Sequence, residues 1–235
     1  MTGSDLDVRP AAVLWDMDGT LIDTEPYWIE AEHQLLALHG LSWSHEAAVE
    51  LVGSGLWEAA ALFQRLGVPM GADEIVHWLT DNVREQIDAN GLPWRPGARE
   101  LLRALRDRGT PTALVTMSLH TMAAEIAGYA GFTAFDVIVG GDDVARAKPA
   151  PDAYLHAADL LGVEITSCVA LEDSVPGLAA AVASGAAAIS VPHIVEVDPA
   201  GAAAQWSTLA NTTPADLDAV FASHIAASAI TGAHA

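Results

Sequence analysis

The chain has 235 residues, 51% of them hydrophobic, with 10 basic against 31 acidic side chains and a formal net charge of −21. That length holds one large domain, or a core with a small second domain, and the apolar fraction supports a sizeable core rather than disorder. So acidic a chain repels phosphate backbones, which excludes nucleic acid as a partner unless a local basic patch exists.

The densest basic stretch, Arg95, Arg99, Arg103, Arg106 and Arg108, matches the solvated face of a helix that buries Leu101, Leu102 and Leu105, so it is not such a patch. No apolar run is long enough to cross a bilayer, and Met1–Asp5 lacks the basic start of a leader, so no membrane partner is expected. Cys168 is the only cysteine, which forbids an internal disulfide and fits a reducing, cytoplasmic setting.

In chain order, Ala11–Trp15 reads as a buried strand, and Asp16-Met17-Asp18-Gly19-Thr20 follows it directly. Two carboxylates two positions apart point the same way if the extended chain continues, and like charges held close call for a cation. A plain Asp-Gly turn is the simpler alternative. A calcium loop is the other, but it needs Gly at its sixth position, where Leu21 stands.

A helical block then runs from about Glu25 to Asn90. Leu56, Ala59, Ala60, Phe63 and Leu66 form one stripe, Ile75, Leu79, Val83 and Ile87 another, with Gly67–Gly71 between them. Asn90–Gly97, rich in Gly and Pro, marks a boundary. Beyond it strands are expected at Pro111–Thr116, Val137–Val139, Cys168–Leu171 and Ala187–Val191, with helices between them, including Pro151–Leu161 and Pro176–Ser184. The alternation implies an α/β fold: a doubly wound, Rossmann-like parallel sheet, with an all-helical insert after its first strand. The expected division is a core of residues 1–23 and 93–235 and an insert of residues 24–92. The first ten and last ten or so residues are expected to fray.

Ligands bind at the carboxyl ends of strands in such sheets. Thr116, the pair Glu172-Asp173, and Lys148 in Lys148-Pro149-Ala150-Pro151-Asp152 all fall there, beside Asp16 and Asp18. Singly, each has an ordinary explanation: a helix cap, a solvated turn, a surface lysine. Four strand ends supplying a metal or phosphate group by accident is far less credible. Lys148 is also the only lysine, against nine arginines, which suggests a place where a compact ammonium is required.

These segments, in this order, resemble the four motifs of the haloacid dehalogenase-like hydrolases. Asp23-Thr24-Glu25-Pro26 and Gly177-x-x-Ala180-Ala181 resemble the subgroup of small-molecule phosphatases and β-phosphoglucomutase, whose small helical cap the insert resembles. The resemblance implies Asp16 as nucleophile forming an aspartyl-phosphate and Asp18 as acid and then base. It implies Mg²⁺ held by Asp16, the backbone carbonyl of Asp18 and Asp173, with Glu172 as a ligand or acting through water. Thr116 and Lys148 would hold the transferring phosphoryl group, and Gly19, Thr20, Met117 and Ser118 would line the phosphate site. Many relatives carry Asn or Ser where Met117 stands; if that position contributes only its N–H, Met costs nothing, and if a side-chain donor is needed, one phosphate contact is lost.

The expected substrate is a small phosphomonoester, and the protein a monomer or weak homodimer. A metal-free dehalogenase is opposed by Asp18 and the Glu172-Asp173 pair, and a non-catalytic binding protein by the completeness of the motifs. A phosphomutase would need a cap cation for a second phosphate. Between Thr24 and Leu92 the basic residues are Arg65 and Arg84, and Gly53-Ser54-Gly55-Leu56 offers no arginine. That segment carries 2 basic and 11 acidic residues, favouring a monophosphate of an uncharged sugar or polyol. Tyr27, His33, Ser54 and Trp57 are candidate cap contacts, set against the commoner use of Trp28, Trp43, Trp57 and Trp78 as core fillers and of His33 and His77 as surface residues.

Overall fold

The computed structural model describes residues 8–232. The extreme amino-terminal stretch, read above for a leader and for fraying, and the last three residues lie outside them. The strands are β1 (Ala12–Trp15), β2 (Thr112–Val115), β3 (Val137–Val139), β4 (Cys168–Glu172), β5 (Ala187–Ser190) and β6 (Ala204–Gln205). They form one sheet of order β3-β2-β1-β4-β5-β6 in which every pairing is parallel. The strand order reverses at β1, placing a crevice at its carboxyl end, between β2 and β4.

Both sheet faces are covered, which explains why the strands read as unbroken apolar runs rather than alternating ones. Val13, Trp15, Leu114, Val169 and Leu171 pack with helices α5 (Ala98–Asp107), α6 (His120–Gly128) and α9 (Pro214–Gly232). Ala12, Leu14, Ala113, Val115 and Ala170 pack against α7 (Asp152–Leu161) and α8 (Val175–Ser184). β1 is wholly buried, and each such Val or Leu contributes roughly 1.5–3 kcal/mol relative to exposure.

Between β1 and β2 the chain forms α1 (Glu25–Leu38), α2 (His45–Val49), α3 (Leu56–Leu66) and α4 (Ala72–Asn90). Both expected stripes are buried except Leu66, which ends α3 at 41% exposure just before the left-handed cap Gly67. The segments entering and leaving this helical unit run side by side. The Asp23 N–H donates to the Pro93 carbonyl at 2.7 Å and the Arg95 N–H to that of Leu21 at 3.0 Å. The unit also folds back onto the sheet domain. The Arg84 guanidinium forks onto the Glu125 carboxylate at 2.8 and 3.1 Å. Gly53 approaches α8 so closely that a Cβ would lie 2.4 Å from Ser174 Oγ.

Three expectations need correction. Arg95 precedes α5, and its guanidinium lies 2.5 Å from His193 Nδ1 instead of facing solvent. Among the described carboxyl-terminal residues α9 continues to Gly232, although its buried contacts, Leu217 and Phe221, lie in its first half. The two-residue β6 went unforeseen because it is too short to carry a period.

Candidate active site

Asp16 follows β1, Thr116 follows β2, and Glu172 closes β4 with Asp173 after it, so adjacent parallel strands deliver these groups to one crevice. Lys148 arrives from the loop before α7. Its Nζ donates to Asp16 Oδ1 at 2.7 Å, to Glu172 Oε1 at 2.6 Å and to the Val115 carbonyl at 3.0 Å. All three ammonium hydrogens are therefore engaged. Burial opposes the charged form, but the Asp16 and Glu172 carboxylates more than offset it and hold Lys148 above its ordinary value.

Glu172 also accepts from Tyr154 Oη at 2.5 Å. Burial and the neighbouring Glu172 charge keep that phenol protonated, well above its usual range. The crowding requires a glycine on α8, since a Cβ at Gly177 would fall 2.0 Å from Glu172 Oε2.

Asp16, Glu172 and Asp173 can bring carboxylate oxygens within 4.8 Å of one another. Three buried carboxylates face one ammonium, and two of their oxygens, Asp16 Oδ2 and Asp173 Oδ2, have no hydrogen-bond partner among the described residues. The uncompensated charge is visible in the acidities. Burial and the Glu172 carboxylate push Asp16 up to about 7, while burial, Asp16 and Glu172 raise Asp173 well above the carboxylate range. An all-oxygen, electron-rich set with orphaned oxygens fits a hard divalent cation such as Mg²⁺. Thr20 Oγ1 donates to the other oxygen of Asp173 at 3.1 Å, and a Cβ at Gly19 would lie 2.0 Å from Asp173 Oδ2. Both thus position Asp173 and do not line the cavity.

Asp18 turns away from that cluster. Its Oδ1 accepts from Thr24 Oγ1 at 2.5 Å and Trp28 Nε1 at 2.9 Å; its Oδ2 accepts from Ser118 Oγ at 2.8 Å and Thr116 Oγ1 at 3.3 Å. Three of these four partners are hydroxyls, which accept as readily as they donate. The Met117 sulfur accepts the Lys148 backbone N–H at 3.3 Å, so this side chain ties the Lys148 loop to β2's end instead of acting as a polar donor.

Above these groups lies a cavity of about 70 Å³, walled on the helical side by Glu25, Trp28, Ile29, Glu32, Leu51 and Ser54. Of the expected helical contacts, only Ser54 lines it. Tyr27 Oη donates to the Gly91 carbonyl at 3.3 Å, Trp57 Nε1 donates to Asp73 at 2.8 Å, and the His33 ring stands edge-on to Trp43 at 6.5 Å. Glu32 and Trp28 went unassigned. Their signal was two carboxylates, Glu25 and Glu32, seven residues apart on the stripe of α1 that its packing buries. Burial pushes Glu32 up to about 8, and burial with the Asp18 charge raises Glu25 well above its usual range.

A doubly wound sheet presenting paired carboxylates after its first strand, with a buried lysine and an acidic pair at neighbouring strand ends, defines a Rossmann-like hydrolase. A haloacid dehalogenase-like hydrolase model matches residues 10–185, and the chain belongs to that family. It is 32% identical over 187 residues to the fructose-1-phosphate phosphatase YqaB of Escherichia coli, covering 78% of this chain and 97% of that one. It is 34% identical over 187 residues to the bifunctional riboflavin kinase/FMN phosphatase of Arabidopsis thaliana, and the match spans 78% of this chain but about half (49%) of that larger protein. A crystal structure of a CbbY variant from Rhodobacter sphaeroides, in complex with xylulose-(1,5)bisphosphate, superposes with a TM-score of 0.82 at 30% identity, covering 89% of this chain and 99% of that one.

Proposed function

We propose that the protein is a Mg²⁺-dependent phosphatase that hydrolyses a small sugar or polyol monophosphate through an aspartyl-phosphate on Asp16, with residues 24–92 acting as a cap over a core of residues 1–23 and 93–235. The observation that carries this reading is the pair of orphaned buried oxygens, Asp16 Oδ2 and Asp173 Oδ2, beside a lysine saturated by Asp16 and Glu172. Phosphatases among the relatives support it.

In this reading Lys148 fixes the Asp16 carboxylate by one oxygen and leaves Oδ2 free to attack phosphorus. The P–O bond to the substrate breaks as Asp18 gives its proton to the leaving alkoxide oxygen. Asp18 then takes a proton from water, whose oxygen attacks the phosphoryl group, releasing phosphate and restoring Asp16. Thr116 and Ser118 hold Asp18 in place for both transfers. Mg²⁺, held by Asp16, Asp173 and the Asp18 backbone carbonyl, with Glu172 directly or through water, would supply the positive charge that lets a phosphate dianion approach these carboxylates.

The cavity is far below the about 300 Å³ of an ordinary ligand pocket, so the cap must open on the paired segments at Asp23 and Pro93 to admit substrate. Lys148 is the one cation among the residues lining it, and Asp16, Glu172 and the Val115 carbonyl already engage it. That arrangement disfavours a phosphomutase, which must seat a second phosphate. The isolated, buried Cys168 thiol, pushed up to about 12 by burial, supports a cytoplasmic setting, and the strong net charge supports a monomer or weak homodimer. Among the described residues no helix is long and apolar enough to cross a membrane.

The test is a panel of small phosphomonoesters assayed with Mg²⁺ and with excess chelator. Turnover is expected in Mg²⁺ alone, and Asp16→Asn, nearly isosteric but unable to form the acyl phosphate, is expected to fall below roughly a thousandth of wild type. Metal-independent turnover, or an active Asp16→Asn variant, overturns the assignment.

A further inference from the structure

On α1, Glu25, Trp28, Ile29 and Glu32 share one face and line the cavity. Trp28 marks the catalytic end, since its indole N–H reaches Asp18 at 2.9 Å. Glu32 lies one helical turn further on, roughly 6 Å along the axis. It is 7% exposed, and its Oε2 is buried with no hydrogen-bond partner among the described residues. The cavity it lines is also walled by the apolar side chains of Ile29, Ala48, Leu51, Leu56 and Leu79. A carboxyl oxygen stripped of water and left without a partner is a cost to the fold, which a ligand hydroxyl can offset.

Resting on the phosphatase reading, we infer that Glu32 determines specificity by hydrogen-bonding a hydroxyl on the uncharged, carbon-rich end of the substrate, one turn beyond the phosphate site. The apolar wall takes the C–H faces of that end, and the carboxyl selects chains that carry oxygen at the matching carbon. A second phosphate or carboxylate finds no free cation there, because Lys148 is fully engaged by Asp16, Glu172 and Val115. Burial pushes the Glu32 carboxyl up to about 8, so near neutrality it carries a proton and both donates to and accepts from a hydroxyl. A site built to bond a substrate hydroxyl discriminates sharply against the analogue that lacks it.

The experiment measures, with Mg²⁺ and the full chain, the ratio of kcat/KM for hexitol monophosphates to that for n-hexyl phosphate, the same carbon length without hydroxyls. For wild type a ratio of at least ~10 is expected for one or more hexitol phosphates, collapsing toward unity in Glu32→Leu and largely retained in Glu32→Gln, whose amide still donates and accepts. The loss is expected without a fall in Tm for Glu32→Leu, because an orphaned polar atom is removed. A wild-type ratio near unity overturns the inference whatever the variants do, as does a ratio that Glu32→Leu leaves unchanged. If wild type hydrolyses no phosphomonoester at all, the phosphatase reading itself fails.

Discussion

The Trp28 indole N–H donates to Asp18 Oδ1 at 2.9 Å, so a side chain of the inserted helices orients a carboxylate of the sheet domain. In the proposed mechanism, the position of the helical unit and the orientation of Asp18 are thereby coupled. Two of the four Asp18 partners, Thr24 and Trp28, belong to residues 24–92, and the other two, Thr116 and Ser118, to the sheet domain.

Trp28→Phe keeps the ring packing and removes the N–H. The expected outcome is a fall in kcat of roughly tenfold, about 1.4 kcal/mol, with KM changed little, because the bond acts on a catalytic group and not on the substrate. Steady-state kinetics on any turned-over monophosphate check it. A change confined to KM would place Trp28 in substrate binding alone.

Lys148→Arg preserves charge yet is expected to disrupt. The ammonium sits among three oxygens from separate strands, and a planar guanidinium cannot reach all three without displacing Asp16 or Glu172. The expected loss in kcat is at least ~100-fold, on the order of 2.7 kcal/mol. Near-normal turnover would remove Lys148 from the machinery.

Glu32 also makes stability depend on pH in a definite direction. Its folded-state value of about 8 lies above the ordinary 4.5, so the folded chain binds the proton more tightly than the unfolded one. Stability is fully present below about pH 4.5 and is lost as pH rises toward 8, by a total on the order of 4 kcal/mol for this group. Glu32→Gln carries no such titration, while Glu25 remains in both proteins. Urea unfolding at pH 5 and pH 8 is therefore expected to show the variant gaining on wild type at the higher pH; a difference independent of pH would refute the assignment.

Substrate charge supplies a fourth prediction. With the one lining ammonium already engaged and no other cation lining the cavity, hexose monophosphates are expected to exceed hexose bisphosphates and phosphoglycolate in kcat/KM at saturating Mg²⁺. A tenfold preference for either of the latter would show that a cation outside this lining reaches the substrate.

The sheet-borne half of the site was legible because Asp16, Thr116, Glu172 and Asp173 stand at or just beyond strand ends that apolar runs locate within a residue or two, while Lys148 stood out as the sole lysine. Their convergence follows from parallel order alone. The helical half was not legible to the same depth. Tyr27 and Trp28 are neighbours in sequence, yet Tyr27 turns to Gly91 and Trp28 to Asp18, and only packing decides which stripe of α1 faces the cavity. Trp57 was similarly drawn away by Asp73. Gly19 and Thr20 belong to the first motif but meet Asp173, a residue more than 150 positions away, which no local pattern reveals.

The confinement of Lys148 has a further chemical consequence. It is the sole lysine of the sequence and is 2% exposed, so the folded surface offers amine-reactive reagents no lysine amine at all. Acylation at Lys148 therefore requires the crevice between β2 and β4 to come apart, and lysine-directed labelling of this protein reports that opening without background from any other lysine.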